Sequence, residues 1–171
     1  AHIFVAPDHL LDEFGRVLAL VERVYTLFGL EYRFRLGTRP DDFMGDIESW
    51  NRAEAILEQV LRDSGREFWI EPGDGAFYGP KIDILMRDSL GREWQMGTIQ
   101  LDFQTPRRFD LRYAAEDGSL QTPIVIHRAI YGSVERFVGI LTEHLSGAFP
   151  PWLAPVQASI IPVTDRQAEP A

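Results

Sequence analysis

Three stretches carry side chains suited to binding and turning over a small charged substrate. Residues 73–81 read Gly-Asp-Gly-Ala-Phe-Tyr-Gly-Pro-Lys. Glycines, a proline and two aromatics in so short a span describe a loop that lets backbone approach a ligand closely, with Lys81 where the next strand begins. The alternative is an ordinary hairpin carrying a solvated lysine. Residues 93–103 read Glu-Trp-Gln-Met-Gly-Thr-Ile-Gln-Leu-Asp-Phe. Strict alternation assigns Gln95, Gly97, Ile99, Leu101 and Phe103 to one face, and Trp94, Met96, Thr98, Gln100 and Asp102 to the other. Amides and a carboxylate in an apolar strand are costly if buried unpaired, so they either cap the sheet edge or hydrogen-bond a ligand. The two amides favour a ligand. In the third stretch His127-Arg128 ends the apolar run Ile124-Val125-Ile126, and Gly132-Ser133-Val134-Glu135-Arg136-Phe137 opens a helix. Arg136 falls in that helix's first turn, where the dipole opposes a positive charge. Either an anionic partner or a salt bridge to a carboxylate accounts for it.

Of the four histidines, His9 and His144 fall near helix ends and read as solvated. His2 and His127 sit on apolar strands, where a lone histidine is commonly a satisfied core residue. Two of them raise a metal reading without establishing it. No phosphate-loop spacing occurs in the sequence, which excludes a Walker-type nucleotide site.

These residues need elements to hold them. Residues 1–5 read as a strand, and Pro7-Asp8 open a helix with Asp8 as N-cap that Gly29 closes. A strand with one wet face follows over 31–36, a loop over 38–42, and a helix that Ser49 caps and Ser64-Gly65 end. Strands are then expected over 68–70, 81–86, 93–103, 109–113 and 123–127. Turn signals at Gly73-Asp74-Gly75, Leu90-Gly91 and Asp117-Gly118 separate them and imply an antiparallel sheet rather than βαβ units. A last helix starts near Ser133, residues 149–155 form a proline-rich boundary, and residues 156–163 begin a further strand. The fold class is therefore α+β: a mostly antiparallel sheet flanked by helices, with residues 1–151 in one domain and 152–171 a linker into another.

The 171 residues suffice for one sizeable core. With no cysteine, disulfides are excluded, and any zinc needs histidine, carboxylate or a thiolate from elsewhere. A net charge of −9 argues against a surface given over to nucleic acid, though not against a small basic pocket. No run is long enough to cross a bilayer and no signal peptide opens the sequence, so the default is soluble and cytosolic.

The motifs Gly-Ala-Phe-Tyr-Gly-Pro-Lys, Gln-Met-Gly-Thr-Ile-Gln-Leu-Asp-Phe and Ile-His-Arg-Ala-Ile-Tyr-Gly-Ser-Val-Glu-Arg-Phe, in this order, closely resemble those of threonyl-tRNA synthetases. Thr38-Arg39-Pro40, Trp50-Asn51-Arg52-Ala53-Glu54 and Trp152-Leu153-Ala154-Pro155 extend the likeness. The resemblance implies the C-terminal half of a class II synthetase catalytic domain, followed by the first strand of an anticodon-binding domain. It implies activation of threonine with ATP to threonyl-adenylate and transfer to tRNA(Thr). Arg136 would lie against ATP, with Lys81, Gln95 and Thr98 close to the adenylate, and Arg136 and Lys81 as the catalytic residues. Tyr78 and Gln100 would line the threonine pocket, and His2 and His127 match two of three zinc ligands. Zinc would read threonine's hydroxyl against valine, and magnesium is expected with ATP from the chemistry.

Departures accompany the matches. The family's third zinc ligand is a cysteine, expected upstream of Ala1, as are the dimer element and a second ATP-binding arginine. The parent enzyme is thus expected to be a homodimer and the present chain inactive alone. A non-enzymatic synthetase-like binding or regulatory module is the alternative. A prolyl or seryl enzyme of the same subclass is a third reading, which the pair His2 and His127 argues against.

Overall fold

The computed structural model describes residues 1–164. The apolar spacing near the start yields α1, Leu10–Leu27, which buries Leu10, Phe14, Val17, Leu18, Val21 and Tyr25. It follows β1, His2–Val5, and a 3-10 turn over Pro7–His9. Asp8 lies inside that turn, so it does not cap the helix; the N-cap position falls to His9, whose side chain makes no capping bond. Gly29, at φ 65°, reverses the chain into β2, Tyr32–Gly37.

Helix α2, Ile47–Asp63, starts earlier than Ser49 suggested. Asp46 is the cap: its carboxylate accepts the Ser49 amide at 2.7 Å and the Ser49 hydroxyl at 2.8 Å. Ser49 thereby stands at the third helical position, as a donor. The helix returns the chain to β3, Phe68–Glu71, which pairs parallel with β2. This is the one βαβ unit in a sheet whose other ladders are antiparallel as expected. β4 is Lys81–Arg87, β5 is Glu93–Asp102 and β8 is Ile124–Ala129, in the order β1-β8-β5-β4-β2-β3.

The strand expected over 109–113 does not form. Asp102 Oδ1 accepts the amides of Gln104 and Thr105 at 2.8 and 2.9 Å, and Pro106 sits in the turn they begin. A carboxylate on those free amides, with a proline that needs no donor, starts the short helix α3, Gln104–Arg108, in place of continued strand. The chain then makes a small hairpin of β6, Tyr113–Ala114, and β7, Leu120–Gln121. Ser133 caps α4, Val134–His144, as expected, accepting the Arg136 amide at 3.2 Å. Residues 156–163 form no strand, and Ile160, Ile161 and Val163 are exposed. A solitary strand without a pairing partner leaves its backbone groups to water. Residues 165–171 lie outside the described part of the chain.

Helices α1, α2 and α4 cover a single face of the sheet. Phe34, Leu36, Ile82, Ile84, Ile99, Leu101 and Ile126 meet Phe14, Val21, Leu57, Leu61 and Phe137 there. The opposite face is where the polar side chains gather. Among the described residues no helix is long and apolar enough to cross a membrane.

The turn joining β4 to β5 is fastened by one carboxylate. Asp88 Oδ1 accepts the amides of Leu90 and Arg92, and Oδ2 accepts Arg92 Nε at 2.6 Å and Trp94 Nε1 at 2.8 Å. Burial alone would raise its pKa, but these donors outweigh it and hold the group near 2 rather than its ordinary 3.8. A depressed folded-state pKa adds stability that is complete above the unfolded value and disappears as the pH falls through the folded one. The melting temperature should therefore fall between about pH 4 and pH 2, and Asp88→Asn should make that fall shallower. Identical acid profiles for the two proteins would refute the assignment.

Candidate functional site

Register builds the site. In antiparallel pairing His2 stands opposite His127, His127 opposite Gln100, and Gln100 opposite Lys81. One row across four strands thus carries His2, His127, Gln100 and Lys81 on one face. Two residues along each strand, a second row on the same face carries Thr98, Asp83 and Arg35. The helices lie behind the sheet, leaving this face open.

Strict alternation misassigned β5. Between Gly97, paired with Ile84, and Gln95, paired with Leu85, Met96 has no partner and forms a β-bulge. The bulge turns Met96 into the core, where it is 1% exposed, beside Ile99 and Leu101. It brings Gln95 onto the face of Thr98, Gln100 and Asp102. Gln95 Nε2 reaches Thr98 Oγ1 at 3.0 Å, which alternation would forbid. Gly97 lies where a Cβ would come within 2.5 Å of the carbonyls of Ala129 and Ile130. A bulge beside a glycine was the available signal.

A fully buried carboxylate organises the floor. Asp83 accepts Lys81 Nζ at 2.8 Å, Arg35 Nη2 at 2.8 Å, Gln95 Nε2 at 2.7 Å and Thr98 Oγ1 at 2.9 Å. Asp74, from the glycine-bearing loop, contacts the same two cations at 3.1 and 3.2 Å. Of this set only Lys81, Gln95 and Thr98 were expected, and Arg35, Asp74 and Asp83 were missed. Asp83 was legible as a carboxylate in the middle of the apolar run Ile-Asp-Ile-Leu-Met. The charge of Lys81 is already compensated by Asp83 and Asp74, so Lys81 is part of the floor and not a free cation.

Tyr78 rises from the loop before β4, donating its hydroxyl to Gln100 Oε1, and its ring lies 5.8 Å from that of His127. Burial first, and the charge of Asp102 second, push the Tyr78 hydroxyl above its ordinary pKa, so it remains a donor at neutral pH. Gln100 Oε1 being occupied, its amide nitrogen keeps two hydrogens for a ligand.

His2 and His127 meet edge to face, ring centroids 4.8 Å apart. They line a hollow of about 200 Å³ with Ala1, Thr98, Gln100 and Arg128. Larger hollows of about 390 Å³ lie elsewhere, one between α1, α2 and the sheet, and contain none of these groups. Two imidazoles side by side suit a borderline cation such as zinc. Among the described residues no third histidine, cysteine, aspartate or glutamate completes a metal cluster, so the residues fit such an ion as two of its ligands.

Arg136 projects from α4 toward the Trp94–Gln95 end of β5. Its guanidinium lies 5.5 Å from the Trp94 ring centre and reaches the Gln95 carbonyl at 3.4 Å. Among the described residues it makes no ion pair, so no carboxylate among them accounts for a cation in that first turn. Gly132, at φ 67°, permits the approach; a Cβ there would overlap the Met96 carbonyl oxygen.

Comparison with known proteins identifies the setting of this geometry. The family described as "tRNA synthetase class II core domain (G, H, P, S and T)" matches residues 1–145. The chain is 57% identical over 166 residues to a threonine–tRNA ligase of Symbiobacterium thermophilum, covering 97% of this chain and 26% of that protein. It is 54% identical over 169 residues to the corresponding ligase of Syntrophomonas wolfei, covering 99% of this chain and 27% of that protein. The chain thus spans about a quarter of the length of these curated relatives. Among solved structures, one described as the RNA binding domain of threonyl-tRNA synthetase from Cryptosporidium parvum superposes with a TM-score of 0.86 at 44% identity. That match covers 90% of this chain and 39% of the other.

Proposed function

We propose that this chain, which belongs to the class II tRNA synthetase core-domain family, supplies the amino-acid-facing and nucleotide-facing sheet of a threonine–tRNA ligase. The observation that carries the reading is the register row of His2, His127, Gln100 and Lys81 on the open face, beside Tyr78. It is supported by the ligase relatives at 54–57% identity.

The reaction joins a threonine carboxylate oxygen to the α-phosphorus of ATP as the bond to pyrophosphate breaks. The tRNA(Thr) terminal hydroxyl then attacks the activated carbonyl and AMP leaves. Such chemistry needs alignment and charge stabilisation more than a covalent intermediate. Tyr78 and Gln100 orient the amino acid, the free amide hydrogens of Gln100 being available to it. Gln95 and Thr98, fixed by Asp83, form the surface on which the adenylate rests. Arg136, beside the Gln95 carbonyl and without an ion pair among the described residues, faces the phosphates, where magnesium accompanies ATP. Lys81 acts on the floor, holding Asp74 and the loop in place. Zinc bound by His2, His127 and a thiolate from outside this chain would supply a Lewis-acid position recognising the amine and hydroxyl of threonine; valine lacks the hydroxyl. The parent enzyme works as a cytoplasmic homodimer.

Arg136→Ala, made in the ligase that contains this chain, tests the nucleotide side. A charge-assisted contact contributes about 1.5–3 kcal/mol, so adenylate formation or ATP affinity should fall roughly ten- to a hundred-fold. Thermal stability without ligand should scarcely change, since the side chain gives up a stacking contact with Trp94 and a long, exposed 3.4 Å bond to the Gln95 carbonyl. A variant that melts well below wild type yet uses ATP normally would make Arg136 a scaffold residue and overturn this part of the reading.

A further inference from the structure

Asp102 is 1% exposed, and of Gln95, Thr98, Gln100 and Asp102 on β5 it is the one given no substrate or adenylate role above. Both of its oxygens are engaged. Oδ1 accepts the two amides that open α3, at 2.8 and 2.9 Å, which fixes the plane of the carboxylate against backbone. Oδ2 faces His127 Nε2 at 2.9 Å, across the β5–β8 ladder. Asp102 pairs with Val125, and His127 lies two residues further along on the same face, so the contact is a diagonal cross-strand pair.

An ionised carboxylate can only accept, so the hydrogen in this contact belongs to His127 Nε2. A neutral imidazole carries one hydrogen, and its other nitrogen then presents a lone pair. We propose that Asp102 is a positioning residue that holds His127 as the Nε2–H tautomer and makes Nδ1 its ligating atom. The proposal rests on the reading of His2 and His127 as cation ligands and specifies what that reading leaves open, namely which nitrogen binds. Carboxylates behind metal-bound histidines generally act in this way, setting tautomer and ring orientation and raising ligand basicity. Because the same carboxylate starts α3, the ring orientation is tied to the backbone at the end of β5 and not to a freely rotating side chain.

Long-range proton–nitrogen correlation NMR of the histidine rings, on the full 171-residue chain at about pH 8, where histidine is mostly neutral, reads the tautomer directly. His9 and His144, both exposed, serve as internal references for a solvated ring. In wild type without metal, His127 should show the Nε2–H pattern, and titrated Zn²⁺ should shift its Nδ1 resonance. In Asp102→Asn the amide can donate to Nε2, so His127 should move toward the Nδ1–H form. Zinc affinity in that variant should fall by about ten- to a hundred-fold. Wild-type His127 in the Nδ1–H form, or averaging like His9 and His144, would overturn the proposal whether or not the variant folds. An Nε2–H ring whose nitrogens ignore Zn²⁺ would overturn the ligating role of Nδ1 and the cation reading with it, while leaving the hold of Asp102 on the tautomer measured.

Discussion

Gly79→Ala is expected to disable the amino-acid side of the site more completely than loss of any single ligand contact. The loop residue packs directly on β5: a Cβ at this position would occupy the space of the Leu101 carbonyl oxygen. Neither partner can yield easily. Leu101 lies in the ladder with Ile126 and donates its amide to Pro80 O at 3.1 Å. The loop is tied on its other side, with Gly79 N on Ala76 O at 3.1 Å and Met44 N on Phe77 O at 2.7 Å. The loop must therefore lift, carrying Tyr78 away from Gln100. Overpacking of this kind costs about 1–3 kcal/mol of stability, and a displacement of about 1 Å at a positioning residue can cost on the order of a hundred-fold in rate. Threonine-dependent pyrophosphate exchange should drop by about that factor, with ATP affinity much less affected. Wild-type threonine kinetics in the alanine variant would show that the loop does not need its seat on β5.

Asp83→Ala should be the most destabilising change on the open face. Removing it leaves Arg35 and Lys81, whose side chains are 21% and 14% exposed, with the longer contacts to Asp74 as their remaining ion pairs, and Arg35 with a neutral bond to Gln95 Oε1 at 3.1 Å. Breaking a buried pair from one side typically costs about 3–5 kcal/mol, because the remaining charge has lost its compensation. For a protein of this size that corresponds to a melting temperature lower by roughly 6–20 °C. Adding Lys81→Met to the alanine variant should restore part of the loss, since it removes one of the stranded charges. A single variant that melts within about 2 °C of wild type would mean that water, and not Asp83, compensates these cations. The network's second effect is on reactivity: Gln95 and Thr98 lose their common acceptor, so adenylate formation should fall further than stability alone explains.

Most of the fold was legible in local pattern. The spacing of Phe14, Val17, Leu18, Val21 and Tyr25 fixes a helix face, and Ser133 before a periodic run marks a start that the structure retains. Misreadings occurred where two local signals competed. Asp46 and Ser49 can both cap a helix, and the carboxylate, able to accept from both the amide and the hydroxyl of Ser49, prevails. Residues 109–113 contain apolar residues at strand-like spacing, but Asp102 and Pro106 have already turned the chain into α3. The site was legible as a set of residue types and not as an assembly. Which of Gln95, Thr98, Gln100 and Asp102 share a face depends on Met96 being unpaired, and pairing is a property of two strands, not of one. Asp83 and Arg35 escaped notice for the related reason that their partners lie on neighbouring strands.

The unpaired Met96 also bears on how such a strand tolerates change in length. A bulge works as a phase shift between the two ends of β5: Trp94 and Gln95 are read in one phase and Thr98 to Asp102 in the other. Deleting Met96 itself would close β5 into an unbroken ladder with every face kept, since Gln95 would still stand opposite Leu85 and Gly97 opposite Ile84. Losing one residue from the regular stretch Thr98 to Asp102 is different: the side chains on one side of the gap exchange faces relative to those on the other. Substitutions there remove one group at a time, whereas a one-codon deletion transposes a whole segment. Within this family, gaps should therefore be rarer across Thr98 to Asp102 than at Met96 or in the Leu90-Gly91 turn, where no side chain changes face.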